Sequence, residues 1–354
     1  MRHSILLVFT IFIFSCGAQK KYTFLSAGKD EKHLTNIRQL TFGGDNAEAY
    51  WSFDGQQLTF QSNNPAWGLD CDQIFTASIS QFGDSGFIPN RISTGEGRTT
   101  CSYFMPDNKH ILFASTHLGS KSCPPPPESK GVYAWPLYES YDIFVADLKG
   151  KITKQLTHAP GYDAEATVSP DGKKIVFTST RSGDLELWIM DIDGSNQKQL
   201  TFGLGYDGGA FFSPDSKKIV FRSSRPKTEE EISKYKNLLG KNLVEPSQME
   251  LYTINADGTE LKQITALGKA NWAPFFHPNQ KKIIFSSNHK SVKGYDFQLF
   301  MIDVDGNNLE QITTESVFNS FPMFSPDGKK LVFSSNRNNG GGRATNLFIA
   351  DWVE

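Results

Sequence analysis

Asn46, Thr99, Asp163, Asp207, Asn271 and Asn319 each stand six residues before a recurring tight turn, and Glu48 and Glu165 come two residues after the first and third of them. Four residues beyond the phenylalanine that follows each turn stand His117, Arg181, Arg225, His289 and Arg337, with Asn64 in the first copy. An acid-and-amide ring thus faces a basic ring. Two kinds of chemistry fit this pattern. Paired, the rings tie neighbouring loops together as ordinary ion pairs. Unpaired, Asp163, Glu165, Asp207 and Glu48 leave negative charge at one mouth of the fold, where clustered carboxylates take up a proton, a cation such as Ca²⁺ or a cationic partner group. A catalytic alternative uses His117, His289 and the same carboxylates as acid and base of a lyase or hydrolase acting on polysaccharide or peptide.

Other catalytic-looking segments carry less. Gly83-Asp84-Ser85-Gly86 resembles the surroundings of a serine nucleophile, but it falls in a hairpin and only His3 and His33 precede it. Asp191-Ile192-Asp193-Gly194 and Asp303-Val304-Asp305-Gly306 lack the further spaced ligands and final Glu of a calcium loop, so they read as hairpin turns. No cysteine pair has zinc-site spacing, and no Gly-rich phosphate loop or His-Glu-x-x-His segment occurs. No catalytic residue, metal site or resident cofactor is assigned, Ca²⁺ at the carboxylate mouth being the one candidate ion.

These side chains must be positioned by a repeat. Ser169-Pro170-Asp171-Gly172-Lys173-Lys174-Ile175-Val176-Phe177 recurs as Ser325-Pro326-Asp327-Gly328-Lys329-Lys330-Leu331-Val332-Phe333, with weaker copies from Ser52, Met105, Ser213 and His277. The closest copies, at Ser169 and Ser213, are separated by the roughly 40 to 45 residues of a four-stranded propeller blade. Within a copy, an inner strand such as 164–168 enters the Ser-Pro-Asp-Gly turn, where Pro presets φ and Gly accepts the left-handed conformation. Residues 175–179 return, 186–191 form a third strand, and the Asp-x-Asp-Gly hairpin leads to an outer strand ending Leu200-Thr201. The last copy stops after its third strand, whereas Asn36-Ile37-Arg38-Gln39-Leu40-Thr41 has the outer-strand signature with no blade before it. That segment is expected to pair beside Leu347 and close an all-β, six-bladed propeller.

The Leu-Thr, Ser-Pro-Asp-Gly-Lys-Lys-Ile-Val-Phe and Met-Asp-x-Asp-Gly blocks resemble the WD40-like PD40 repeats of the TolB propeller over about residues 36–353. TolB carries an α/β domain ahead of its propeller, whereas residues 16–35 here read as a short tether, so the resemblance implies the fold without the Tol-system role. Peptidase relatives join a hydrolase domain to such a propeller, and this sequence ends within the propeller.

Strand order places every long insertion on one face: 64–70, 117–140, 226–248, 289–295 and 338–343 all follow second strands. Binding usually resides on loops held by a rigid scaffold. The second insertion joins Cys123 and four prolines to Tyr133, Trp135 and Tyr138, with Tyr141 beyond it. These aromatics can dock a partner, stack on sugars or pack the loop down. In the third, Thr228 to Glu231 reads as a capping box opening a helix that carries Ile232, Tyr235 and Leu239 to Gly240, a lid with Tyr235 as a further docking candidate.

Lys plus Arg number 36 against 38 Asp plus Glu in 354 residues, so no basic footprint for nucleic acid exists. Residues 1–15 read as an export signal whose apolar run is too short to span a bilayer, and Ile13-Phe14-Ser15-Cys16-Gly17 resembles a bacterial lipobox with Cys16 as the lipidation site. One disulfide among Cys71, Cys101 and Cys123 is then permitted, with the pairing open. The expectation is a monomeric, non-catalytic binding or scaffold propeller, held by a lipid anchor alone in the periplasm, at the outer membrane. Its long-loop face would engage an envelope protein or cell-wall component.

Overall fold

A computed structural model describes residues 24–128, 131 and 133–354, so the expected export signal and Cys16 lie outside the described residues. Six antiparallel sheets follow one another around a ring, each built from an inner, a second, a third and an outer strand. In the third blade these are Asp163–Val168, Lys174–Ser179, Glu186–Asp191 and Lys198–Gln199.

Each second strand packs against a neighbouring blade on both faces, which is why its sequence is a continuous apolar run rather than an alternating one. The phenylalanine of every copy, Phe60, Phe113, Phe177, Phe221, Phe285 and Phe333, is fully buried there. The turn signature has an equally local cause: Ser169 Oγ donates to Asp171 Oδ1 at 2.6 Å, Gly172 N donates to Ser169 O at 2.8 Å, and Gly172 takes φ 71°. The Leu-Thr signature is explained as well. Thr201 Oγ1 accepts from Leu187 N at 2.9 Å and donates to Glu186 Oε2 at 2.5 Å, stitching outer to third strand. Thr157, Thr265, Thr313 and Thr41 do the same in their blades.

The ring closes as the chain ends foretold. Leu34–Gln39 pairs antiparallel with Asn346–Trp352, with Leu34 opposite Trp352 and Gln39 opposite Phe348. The start of the folded body, however, lies earlier than residue 36. Phe24–Leu25 adds a fifth strand against Ile37 and Arg38, and Glu31 is buried. Its carboxylate accepts from the backbone N–H groups of Gly28, Thr314 and Glu315 and pairs with Arg337 at 3.0 Å. Residues 24–34 are therefore part of the last blade, not tether. Their polar composition conceals a buried ion pair.

Candidate functional site

The residue six positions before each turn proves to be a tie within the fold. A serine stands two residues beyond each second-strand phenylalanine, and in the fifth blade it bridges the two rings read from the sequence. Ser287 Oγ donates to Asn271 Oδ1 at 2.6 Å and contacts His289 Nδ1 at 2.8 Å, while Ser62 Oγ donates to Asn46 Oδ1 at 2.9 Å. Where the amide is replaced by a carboxylate the basic partner is arginine. Asp163 pairs with Arg181 at 2.5 Å and Asp207 with Arg225 at 2.5 Å, and Asn319 Oδ1 accepts from Arg337 at 3.1 Å. Thr99 donates instead to the Asp72 carbonyl, and Asn64 caps a short 3₁₀ turn at Pro65–Trp67.

Asp163 and Asp207 consequently add no free charge to the mouth. Each is buried, and burial pushes both carboxyls up against the pull of the paired arginine. Asp207 also abuts Glu186, which burial and that neighbour push up to about 8. His117 and His289 pack at a tilt against Phe144 and Phe300, with ring centroids 4.5 and 4.4 Å apart. Burial lowers both imidazoles below the usual value. Neither histidine lines the central cavity, so the acid–base constellation imagined for an enzyme is not assembled.

The residues that do face the axis lie two positions further along each inner strand. Every one of these strands carries a bulge in its pairing with the second strand, and the bulge residue takes a positive φ: Glu48, Cys101, Glu165, Gly209, Ala273 and Phe321. Bulges re-aim side chains. All six residues line one cavity of about 320 Å³. Beneath them Tyr50, Tyr103, Phe211 and Phe275 pack across the axis with centroids 5.4 to 6.3 Å apart and floor the cavity.

Arg222 is the residue that sequence reasoning missed. It follows the second-strand phenylalanine, where the other copies have Gln61, Ala114, Thr178, Ser286 and Ser334; a lone charge at that offset was the available signal. Its guanidinium pairs with Glu165, donates to Tyr206 Oη and lies 5.2 Å from the Trp135 ring and 4.9 Å from that of Tyr206. Gly209 makes the room, since a Cβ there would sit 1.8 Å from the guanidinium. Glu165 is further satisfied by Thr178 Oγ1 at 2.7 Å, Gly209 N at 2.8 Å and Tyr206 Oη at 2.5 Å.

Glu48 differs. Its contacts are Tyr50 Oη at 3.4 Å and the Cys101 thiol, and it forms no salt bridge. Burial pushes its carboxyl up to about 7; the Cys101 hydrogen bond opposes this, the Glu165 carboxylate adds to it, and the nearby Arg222 guanidinium and the Tyr50 hydroxyl oppose it. Burial raises the Cys101 thiol far above its usual value, so it donates as a neutral group. Among the described residues no group of three or more His, Cys, Asp or Glu is placed to hold a metal ion.

The roof comes from two insertions that pair with each other. Trp135–Pro136 of the second forms a two-stranded sheet with Leu243–Val244 of the third. Trp135 stacks on Trp272 at 5.1 Å, and Trp272 on Phe297 at 4.3 Å. The disulfide Cys71–Cys123 ties the second insertion to the first blade and leaves Cys101 free. Tyr138 donates to the Pro124 carbonyl at 3.4 Å, Tyr141 is buried and Tyr133 is exposed. Helix α1 (Glu229–Leu239) opens with the expected capping box. Tyr235 donates to Asp184 and, with Leu239, packs against a buried cluster that includes Leu137 and Val244, so it helps anchor the helix.

The profile of the TolB beta propeller domain matches residues 126–245, which span the outer half of the second blade, all of the third and the inner half of the fourth. The propeller is TolB-like. A putative TolB from Agrobacterium tumefaciens superposes with TM-score 0.57 at 20% identity, over 88% of this chain and 91% of that one. TolB from Acinetobacter baumannii gives TM-score 0.58 at 20% identity, over 86% of this chain and 65% of that one. An oligogalacturonate lyase in complex with manganese gives 0.52 at 13% identity, over 94% and 97%. No curated protein matches the chain. Identities this low establish the TolB-like fold alone. Among the described residues no helix is long and apolar enough to cross a membrane.

Proposed function

We propose that the chain is a non-catalytic binding module of the cell envelope, exported by residues 1–15, tethered through an acylated Cys16 at the outer membrane, and docking an envelope protein or cell-wall component on its long-loop face. The observation that carries this reading is the pairing of Trp135–Pro136 with Leu243–Val244. Two insertions separated by a whole blade build one rigid aromatic roof over a floored cavity, which is the arrangement of a receptor surface. The lyase or hydrolase alternative has the fold likeness to oligogalacturonate lyase behind it, but its two histidines are held outside the cavity by Ser115 and Ser287.

The test compares intact protein with a variant lacking 117–140 as bait in detergent-solubilised envelope, alongside turnover assays on glycan and peptide libraries. One envelope component retained by the intact protein and released by the variant is expected. Turnover that disappears on substitution of Glu48 or Glu165 would replace this reading with the enzymatic one.

A further inference from the structure

The charge inventory of the cavity is short. Three carboxylates, Glu48, Asp72 and Glu165, and two guanidiniums, Arg98 and Arg222, line it, with no lysine or histidine. Asp72 is paired with Arg98 and Glu165 with Arg222. Glu48 is left without a salt bridge, since the Arg222 guanidinium near it is paired with Glu165. An anionic ligand would meet two paired arginines and a carboxyl with no ion-pair partner, whereas a neutral polyol would leave that carboxyl as it stands. A cation would supply the missing partner, and a desolvated carboxylate gains most from a charged donor.

The surroundings specify the rest of the ligand. Trp135, Trp272, Phe318 and Phe321 supply the cavity with apolar wall, and aromatic faces favour an adjacent positive charge. A volume of about 320 Å³ takes a short side chain, not a folded domain.

We infer that the cavity is a receptor site for a single positively charged amine on an apolar stem, its ammonium seated at Glu48 and its stem along the Trp135–Trp272 wall. This rests on the binding-module reading and names what that module grips: a lysine side chain or a chain-terminal amine of the partner. Beside Glu48 stand Tyr50 on its own strand, Cys101 and Tyr103 from the second blade, Glu165 from the third and Arg222 from the fourth. The tyrosines and the thiol are pushed upward by burial, away from pH 7, the arginine stays charged, and Glu48 itself is pushed up to about 7.

The experiment titrates the full chain with phenethylamine, its uncharged counterpart phenethyl alcohol and its anionic counterpart phenylacetate, followed by calorimetry and by the fluorescence of Trp135 and Trp272. The amine is expected to bind about ten- to a hundredfold more tightly than either counterpart at pH 8, and to lose affinity at pH 6 as Glu48 takes up a proton. Glu48→Gln should bind amine and alcohol alike. Nα-acetyl-lysine methylamide against phenylalanine methylamide then separates a side-chain from a chain-terminal source. Equal binding of the three wild-type probes, binding of none, or an unchanged amine affinity in Glu48→Gln overturns the inference, and the wild-type comparison needs no variant to fold. If the amine is not preferred while the loop face still retains its envelope component, this inference falls and docking stands; the reverse result removes docking and leaves the amine site.

Discussion

At the residue scale the distinguishing event is a charge placed where the repeat has none. Arg222 enters a position held elsewhere by small or neutral side chains, and the third-blade bulge supplies Glu165 to meet it. Gly209, at φ 59°, is the condition for that pair. Gly209→Ala should cost about 3–5 kcal/mol in urea unfolding, because the methyl would push the guanidinium off Glu165 and leave a buried charge unpaired. Glu48 makes a prediction of opposite character. Its folded-state value of about 7 exceeds the ordinary 4.5, so between those limits the folded chain holds a proton that the unfolded chain has lost. Stability contributed through this group therefore falls as pH rises from about 4.5 to 7. Glu48→Gln, permanently neutral, should be as stable as wild type at pH 5 and more stable by about 2 kcal/mol at pH 8, a figure discounted for the half-buried position. Equal differences at the two pH values would refute it. The two rings were legible in the sequence because their offset from the turn is constant. Their meaning was not, because the side-chain direction two residues on depends on a bulge, and a bulge is a property of pairing rather than of either strand alone.

At the element scale, the seal is the segment that begins at Phe24. Composition marks it as polar, and a lone buried Glu cannot be told from a solvated one until its partner Arg337, 306 residues away, is brought beside it. The turn, the outer-strand Thr and the helix cap were readable for the converse reason: each is satisfied within a few residues of itself or by the adjacent strand. Local hydrogen bonding writes itself into local sequence, and long-range pairing does not. Glu31→Gln should destabilise the protein by about 3–5 kcal/mol at pH 7, since it strands a buried guanidinium. The pH dependence has a definite sign. Burial raises the Glu31 carboxyl, but Arg337 and three backbone donors outweigh it and hold the value below 4.5, so its contribution is present above that value and disappears as pH falls through the folded-state value. Wild type and variant should converge in acid unfolding curves. A gap that persists undiminished in acid would assign the effect to packing instead.

At the scale of the whole molecule, everything depends on closure. Five blades are continuous in sequence, and the sixth is completed only when Leu34–Gln39 returns to lie beside Asn346–Trp352. Leu34 and Ile37 from one end and Phe348 and Ala350 from the other share a buried cluster with Phe324 and Phe333, so the strand brings apolar area as well as hydrogen bonds. Removing residues up to 39 would uncover that cluster and leave Asn346–Trp352 as an unpaired sheet edge, the kind of surface that recruits a second copy. The truncated chain should show two linked changes: a lower, less cooperative thermal transition by near-ultraviolet circular dichroism, and association in light scattering that grows with concentration. A synthetic peptide spanning residues 24–41 should reverse both by refilling the gap, because its pairing register is fixed by the bulge between Thr35 and Arg38. If the truncated chain stayed monomeric with an unchanged transition, the ring would be held by blade-to-blade packing alone, and the roof and cavity would not need the strand that closes them.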